Sequence, residues 1–292
     1  MTSRRDFLAG AAAAFAAAPF ASMPAMAKPH LLLGLQLYTV RADLAKDYEG
    51  TMKLVKAAGV RKVQANLTMS GRTSQEQRKL YDEMGLIWDS IHAGGNALRA
   101  TPQATIDEAK AAGIKNITCS SPLYPVDRAA LMAGPTMDDW KRNIDAFNKI
   151  GELCKKSGLG FAFHNHNLEF RKIGEVVPYD LLLAESDPAL VSMEMDIGWV
   201  IYSGADPVAY LTKYPTRFVS VHIKDSKNQT VPNTNTTMVS AIIGQGIVDW
   251  SKVLPAIKKS GVTSAYMEIE EPYDPSPIGM VQASAAYLKG KL

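Results

Sequence analysis

From residue 31 onward, short apolar runs alternate with longer stretches whose apolar residues recur every three or four positions. The short runs predict strands over 33–38, 60–65, 86–92, 116–119, 159–164, 190–196, 218–224 and 263–269. The longer stretches predict helices over 43–58, 74–84, 102–112, 137–156, 178–184, 207–213, 250–259 and 277–288. A long polar segment, 225–248, separates the seventh strand from its helix. Five times the passage from helix to strand runs through a glycine: Gly59, Gly85, Gly113, Gly158 and Gly261. Glycine adopts the left-handed helix C-cap without a Cβ clash, and in all but the Gly85 copy a lysine sits near the negative helix end. Repeated helix–glycine–strand units argue for parallel strands. Eight of them predict an α/β fold, a closed (β/α)8 TIM barrel. An open doubly wound sheet is the alternative. Against it, the turn after the first strand reads Tyr38-Thr-Val-Arg41, with no glycine-rich phosphate loop. No Pro/Gly/Ser-rich linker divides 28–292, so a single barrel domain is expected there.

Of the 292 residues, 47% are apolar, as in ordinary globular proteins. The net charge is only +3 and no basic cluster stands out, so nucleic acid is not an expected partner. Cys119 and Cys154 imply no disulfide framework and have no metal-ligand spacing. The first 27 residues read as an export signal. Ser3-Arg4-Arg5-Asp6-Phe7-Leu8 precedes an Ala-rich apolar run, and Ala25-Met26-Ala27 offers a small-x-small cleavage site. The paired arginines match the twin-arginine type, with a general secretory signal or an uncleaved anchor as alternatives. The expectation is a periplasmic protein starting near Lys28, with no membrane contact after cleavage. No other apolar run is long enough to span a bilayer.

The chemistry-bearing residues gather at strand ends, where barrel active sites lie. The fifth strand ends in His164 and His166, which share one face of an extended chain, with Glu169 just beyond. The sixth ends in Asp196, followed by Ile-Gly-Trp199. The seventh brings His222, Lys224 and Asp225, and the eighth Glu268. Gln36 lies on the first strand and His92 closes the third. Each residue also has a plainer reading: Asp196 as a helix cap, His222 as a hydrogen-bonded core imidazole, Glu268 as the ion-pair partner of Lys224. Four successive strands each deliver an imidazole or a carboxylate to one rim, a mix that suits Mn²⁺, Zn²⁺, Co²⁺ or Mg²⁺.

These pieces resemble the xylose-isomerase-like TIM-barrel family of sugar (phosphate) isomerases and epimerases. The resemblance rests on Gly34-Leu-Gln-Leu-Tyr-Thr-Val-Arg41, Phe163-His-Asn-His-Asn-Leu-Glu-Phe170, Asp196-Ile-Gly-Trp199, Val221-His-Ile-Lys-Asp225, Gly244-Gln-Gly-Ile-Val-Asp-Trp250 and Glu268-Ile-Glu-Glu-Pro272. It implies that His164, Asp196, His222 and Glu268 hold one ion. In ketose epimerases of the family the strand-five ligand is a glutamate that doubles as a base; here it is histidine. The second strand, which often ends in glutamate, carries Gln64. Both departures speak against a two-glutamate epimerase mechanism.

The implied chemistry is proton abstraction beside a carbonyl, with the ion stabilising the enediolate. Glu268 is the first candidate base and His166 the second. Lys224 is expected to polarise the carbonyl, Gln36, Glu169 and His92 to hold hydroxyls, and Trp199 to face the ring. Isomerisation or epimerisation of an unphosphorylated sugar or keto-sugar is the leading expectation. Elimination by a keto-sugar lyase or dehydratase is the rival. A non-catalytic sugar-binding protein and a metal-dependent nuclease are more distant alternatives, and an oligomer is possible.

Overall fold

The structure is a computed structural model that describes residues 31–227, 232–234 and 238–292. The expected export signal lies outside the described residues. Eight strands form the barrel: β1 (Leu33–Gln36), β2 (Lys62–Ala65), β3 (Ile87–Ala93), β4 (Asn116–Cys119), β5 (Gly160–His164), β6 (Ser192–Asp196), β7 (Phe218–Ile223) and β8 (Ser264–Met267). All neighbours pair in parallel, and β1 closes the ring by pairing with both β2 and β8. The five glycines of the helix–strand passages have φ between 64° and 93°, in the left-handed region that the caps require.

Helices cover the outside of the barrel. The helix Met137–Lys156 shows why the pattern folds this way. Thr136 and Asp139 form a reciprocal capping box at its start, and Lys155 and Lys156 lie at its negative end. Trp140, Ile144, Phe147, Ile150 and Cys154 form its buried stripe, and the Phe147 ring packs 4.8 Å from that of Phe163 on β5. Truncating Phe147 to alanine would cost about 3–5 kcal/mol.

The inner face of the barrel is polar. On successive strands the even-numbered residues Gln36, Gln64, Ser90, Thr118, His164, Glu194, Ser220 and His222 are buried. They alternate with apolar residues such as Leu35, Val63, Ile91 and Met195. The lowest layer joins Lys62 to Asp89 and Ser264, with the Tyr266 hydroxyl 3.3 Å from Asp89.

Some elements differ from the expectation. β1 stops at Gln36 rather than at 38, because the Gln36 side chain accepts the Tyr38 N–H and starts a 3-10 turn, Leu37–Val40. The helix expected over 43–58 is two helices, Arg41–Lys46 and Tyr48–Ala57. Asp47 is extended between them and caps the second. The short helices Gly95–Ala100 and Arg128–Ala133 lie outside the expected elements, and Ile197–Tyr202 is a helix that Asp196 caps, as its plainer reading has it. Within the polar segment, Asp225–Ser226 pairs antiparallel with Ser240–Ala241. The Asp225 carboxylate accepts the N–H groups of Ser226, Gly244, Gly246 and Val248 and the Trp250 indole N–H, tying the segment to the rim.

Candidate metal centre and active site

The strand register assembles the site. His164 and Asp196 are the last residues of β5 and β6, His222 is the penultimate residue of β7, and Glu268 follows β8. Asp196 stands opposite His222. One ligand atom from each of His164, Asp196, His222 and Glu268 lies within 4.8 Å of the others. All four residues are buried. Asp196 serves two purposes. Its Oδ1 accepts the Trp199 N–H and caps the helix Ile197–Tyr202, while Oδ2 makes no hydrogen bond and lies 3.2 Å from the Lys224 ammonium.

The hydrogen bonds around His222 show whether these residues fit a cation. The Gln64 amide nitrogen donates to Glu194 Oε2 at 2.8 Å, which turns its carbonyl oxygen toward His222 Nε2 at 2.7 Å. Glu194 Oε1 is 3.1 Å from the same nitrogen. With only acceptors around it, Nε2 must carry a proton. Nδ1 then faces Glu268 Oε2 at 2.9 Å and Asp196 Oδ2 at 3.9 Å. A bare lone pair facing two carboxylates is repulsive, so either a proton or a metal ion belongs there. Charge agrees: Glu194, Asp196 and Glu268 are buried in the cluster with one ammonium, that of Lys224, beside Asp196 and Glu268, leaving two negative charges for neutral imidazoles. A divalent ion would compensate both. The mixed imidazole and carboxylate set suits Zn²⁺, Mn²⁺ or Co²⁺.

The titration shifts follow from this crowding. For His222, burial favours the neutral ring, but Glu194 and Glu268 more than reverse it and push the imidazolium up to about 10. Burial raises Asp196 to about 6 against the pull of Lys224. Glu268 and Glu194 feel the same burial, yet Lys224 and His222 hold the first, and His222 and His92 the second, well below the usual carboxylate range. His164 is held well below the ordinary imidazole value by burial and by the neighbouring His222.

Above the cluster lies a polar cavity of about 250 Å³, lined by Gln36, Tyr38, Asn66, His92, Ser120, His164, His166, Glu268 and Glu270. Gln36, His92 and His166 therefore reach the space where a substrate would sit. Burial pushes the His166 imidazole down to about 4, so it is neutral at pH 7. Three expected substrate contacts are absent from the cavity wall. Lys224 is fully buried among Asp196, Glu268 and Glu270, because three carboxylates surround its ammonium. Trp199 packs behind it, with the ammonium 5.0 Å from its ring centroid. Glu169 turns inward, and its Oε2 accepts the His166 N–H at 2.9 Å. Sequence reasoning missed Glu194, which touches three imidazoles, and Glu270, which pairs with Lys224 at the cavity edge. Polar residues at every second position, Ser192, Glu194 and Asp196 on one strand, were the available signal.

A family model described as Xylose isomerase-like TIM barrel matches residues 52–291. An inosose dehydratase of Clostridium beijerinckii is 25% identical over 168 residues, covering 53% of this chain and 55% of the relative. The chain thus spans about half the length of the curated relatives it matches. Among solved structures, a sugar phosphate isomerase/epimerase from Parabacteroides distasonis superposes with a TM-score of 0.74 at 24% identity, covering 88% of this chain and 97% of that one. The IOLI protein, solved with a bound zinc atom, superposes with a TM-score of 0.66 at 12% identity, covering 89% of this chain and 97% of that one. At these identities the structural likeness speaks for the fold.

Proposed function

Because the chain belongs to the xylose isomerase-like TIM-barrel family, we propose that it is a divalent-metal-dependent enzyme that eliminates water from an unphosphorylated keto-sugar or keto-polyol. The observation that carries this reading is the convergence of His164, Asp196, His222 and Glu268 on one point beneath a polar cavity at the C-terminal rim. When bound, the ion supplies Lewis acidity toward a carbonyl oxygen. The zinc of the IOLI structure supports such an occupant.

The protein's own groups divide the remaining work. Glu268, a carboxylate held ionised and lining the cavity, takes the proton from the carbon beside the carbonyl. The electron pair left behind forms the new carbon–carbon double bond as the carbon–oxygen bond one carbon further on breaks. The departing oxygen takes up the proton that Glu268 received and leaves as water, which returns Glu268 to its carboxylate form. Gln36, Asn66, His92 and Ser120 offer polar atoms to the hydroxyls, and Lys224 holds Asp196, Glu268 and Glu270 in place from behind. Elimination is favoured over epimerisation because the basic groups are one-sided. The two carboxylates of the cavity wall, Glu268 and Glu270, both enter from the β8 end, while the strand-five wall carries only the imidazoles of His164 and His166. The dehydratase names of the curated relatives point the same way.

Isomerisation or epimerisation is the second reading. It shares the first step and is favoured by the fold likeness to the Parabacteroides protein. The Arg4-Arg5 segment and the lack of a glycine-rich phosphate loop support an exported enzyme and an unphosphorylated substrate. Proton NMR of candidate keto-sugars and keto-inositols in D₂O with ion-loaded protein tests the chemistry. Loss of water with deuterium uptake is expected. New isomers without elimination would establish the second reading. Binding with neither exchange nor product would refute both in favour of a sugar-binding protein.

A further inference from the structure

Five polar atoms surround the Glu194 carboxylate on the floor of the site. Oε1 is hydrogen-bonded to His92 Nε2 at 2.6 Å and lies 3.1 Å from His222 Nε2 and 3.3 Å from His164 Nδ1. Oε2 receives the Gln64 amide nitrogen at 2.8 Å and the Ser220 hydroxyl at 2.6 Å. The residue is fully buried and does not line the cavity. A carboxylate only accepts hydrogen bonds. A ring nitrogen that donates to it therefore carries a proton, which leaves the other nitrogen of that ring as the one that can take an ion.

The geometry points to Glu194 as the positioning residue that sets the protonation pattern of His92, His164 and His222, so that His164 and His222 present bare nitrogens to a divalent ion. This rests on the metal reading of the site. Glu194 acts on His222 twice: directly, and through Gln64, whose amide it orients so that the carbonyl oxygen also accepts from Nε2. For His164 the contact is long and poorly aligned, and Nδ1 makes no hydrogen bond. The same logic leaves His92, whose Nε2 donates to Glu194, with a bare Nδ1 as an acceptor. A carboxylate behind a metal-bound imidazole fixes its tautomer and raises its basicity, and losing such a partner typically weakens metal binding by about 10–100-fold.

Two measurements test the inference. Titration of Zn²⁺ and Co²⁺ into the protein and its Glu194→Gln variant should show one ion per chain in both. Affinity in the variant should be about 10–100-fold weaker, with a changed Co²⁺ absorption spectrum. Long-range ¹H–¹⁵N NMR of the ion-free wild-type protein should find the proton of His92 on Nε2 and that of His164 on Nδ1. Unchanged affinity in a folded Glu194→Gln variant would overturn the inference, as would the opposite tautomers in the wild type. Two ions in the wild type falling to one in the variant would also overturn it, by making Glu194 a ligand in its own right. If the wild type bound no ion, the metal reading would fail, and the NMR tautomers would still decide whether Glu194 orders the imidazoles.

Discussion

Replacing Glu169 with glutamine should stabilise the protein in alkaline solution and leave it unchanged in acid. Glu169 is fully buried, and burial pushes its carboxyl from 4.5 up to about 7 despite the hydrogen bond from the His166 N–H. Its Oε1 makes no hydrogen bond. The folded state therefore holds the proton more tightly than the unfolded chain. This contribution to stability is fully present below pH 4.5, is lost as the pH rises through 7, and stays lost above it. A difference of about 2.5 pK units corresponds to about 3 kcal/mol. Glutamine keeps an oxygen for the His166 N–H and carries no charge. At pH 8 Glu169→Gln should gain up to about 3 kcal/mol, or roughly 6–12 °C in Tm for a domain of this size. Near pH 4.5 the gain should vanish. Calorimetric melts of both proteins from pH 4.5 to 9 measure it. An equal or lower Tm for the variant at pH 8 would refute the argument. Turnover should survive in the variant, because Glu169 lies off the cavity wall; its loss would return Glu169 to the substrate contacts.

Four other outcomes are expected. Asp225→Ala removes the acceptor of four backbone N–H groups and the Trp250 indole, and should cost about 3–5 kcal/mol in urea unfolding. Glu268→Gln should abolish deuterium exchange beside the carbonyl. His166→Ala should keep its ion and raise KM about tenfold through one lost polar contact, as steady-state kinetics and metal analysis would show. Chelation should lower Tm, and Zn²⁺ restored at 100 times its Kd should return about 2.7 kcal/mol; a Tm indifferent to both would argue against an ion in the site.

The barrel was legible because helix caps and strand periods are local. The Lys-Ala-Ala-Gly59 and Lys-Ser-Gly158 junctions report helix ends whatever lies around them. The convergence of Asp196, His222 and Glu268 could be read because all three stand at strand ends, and a parallel barrel brings every strand end to one rim. Direction was harder to read. Trp199 and Glu169 follow their strands by a few residues, where the helix Ile197–Tyr202 and the turn Leu168–Phe170 rotate side chains off the strand axis. Lys224 was expected to reach the carbonyl, but the three carboxylates that claim it come from β6 and from beyond β8, distant in sequence. Glu194 stood two residues from Asp196 on the same face, yet its partners come from four other strands. Only closure of the ring reveals them.

The polar inner face constrains how the barrel can change over generations. Gln36 donates to Gln64, Gln64 to Ser90 and Glu194, and Ser220 to Glu194, so the members are linked through shared atoms. A single replacement among them strands a buried donor or acceptor at about 1–3 kcal/mol, and a second replacement elsewhere in the chain is needed to recover it. The odd-numbered residues facing the helices, such as Val63, Ile91 and Met195, carry no such obligation and tolerate volume-conserving swaps one at a time. A map of tolerated substitutions along any strand should then be striped with a period of two. Inner residues would change in correlated pairs spanning different strands, and outer ones would drift alone. New specificities would be reached most easily from Asn66, Ser120 and Glu270, which line the cavity just beyond the strand ends.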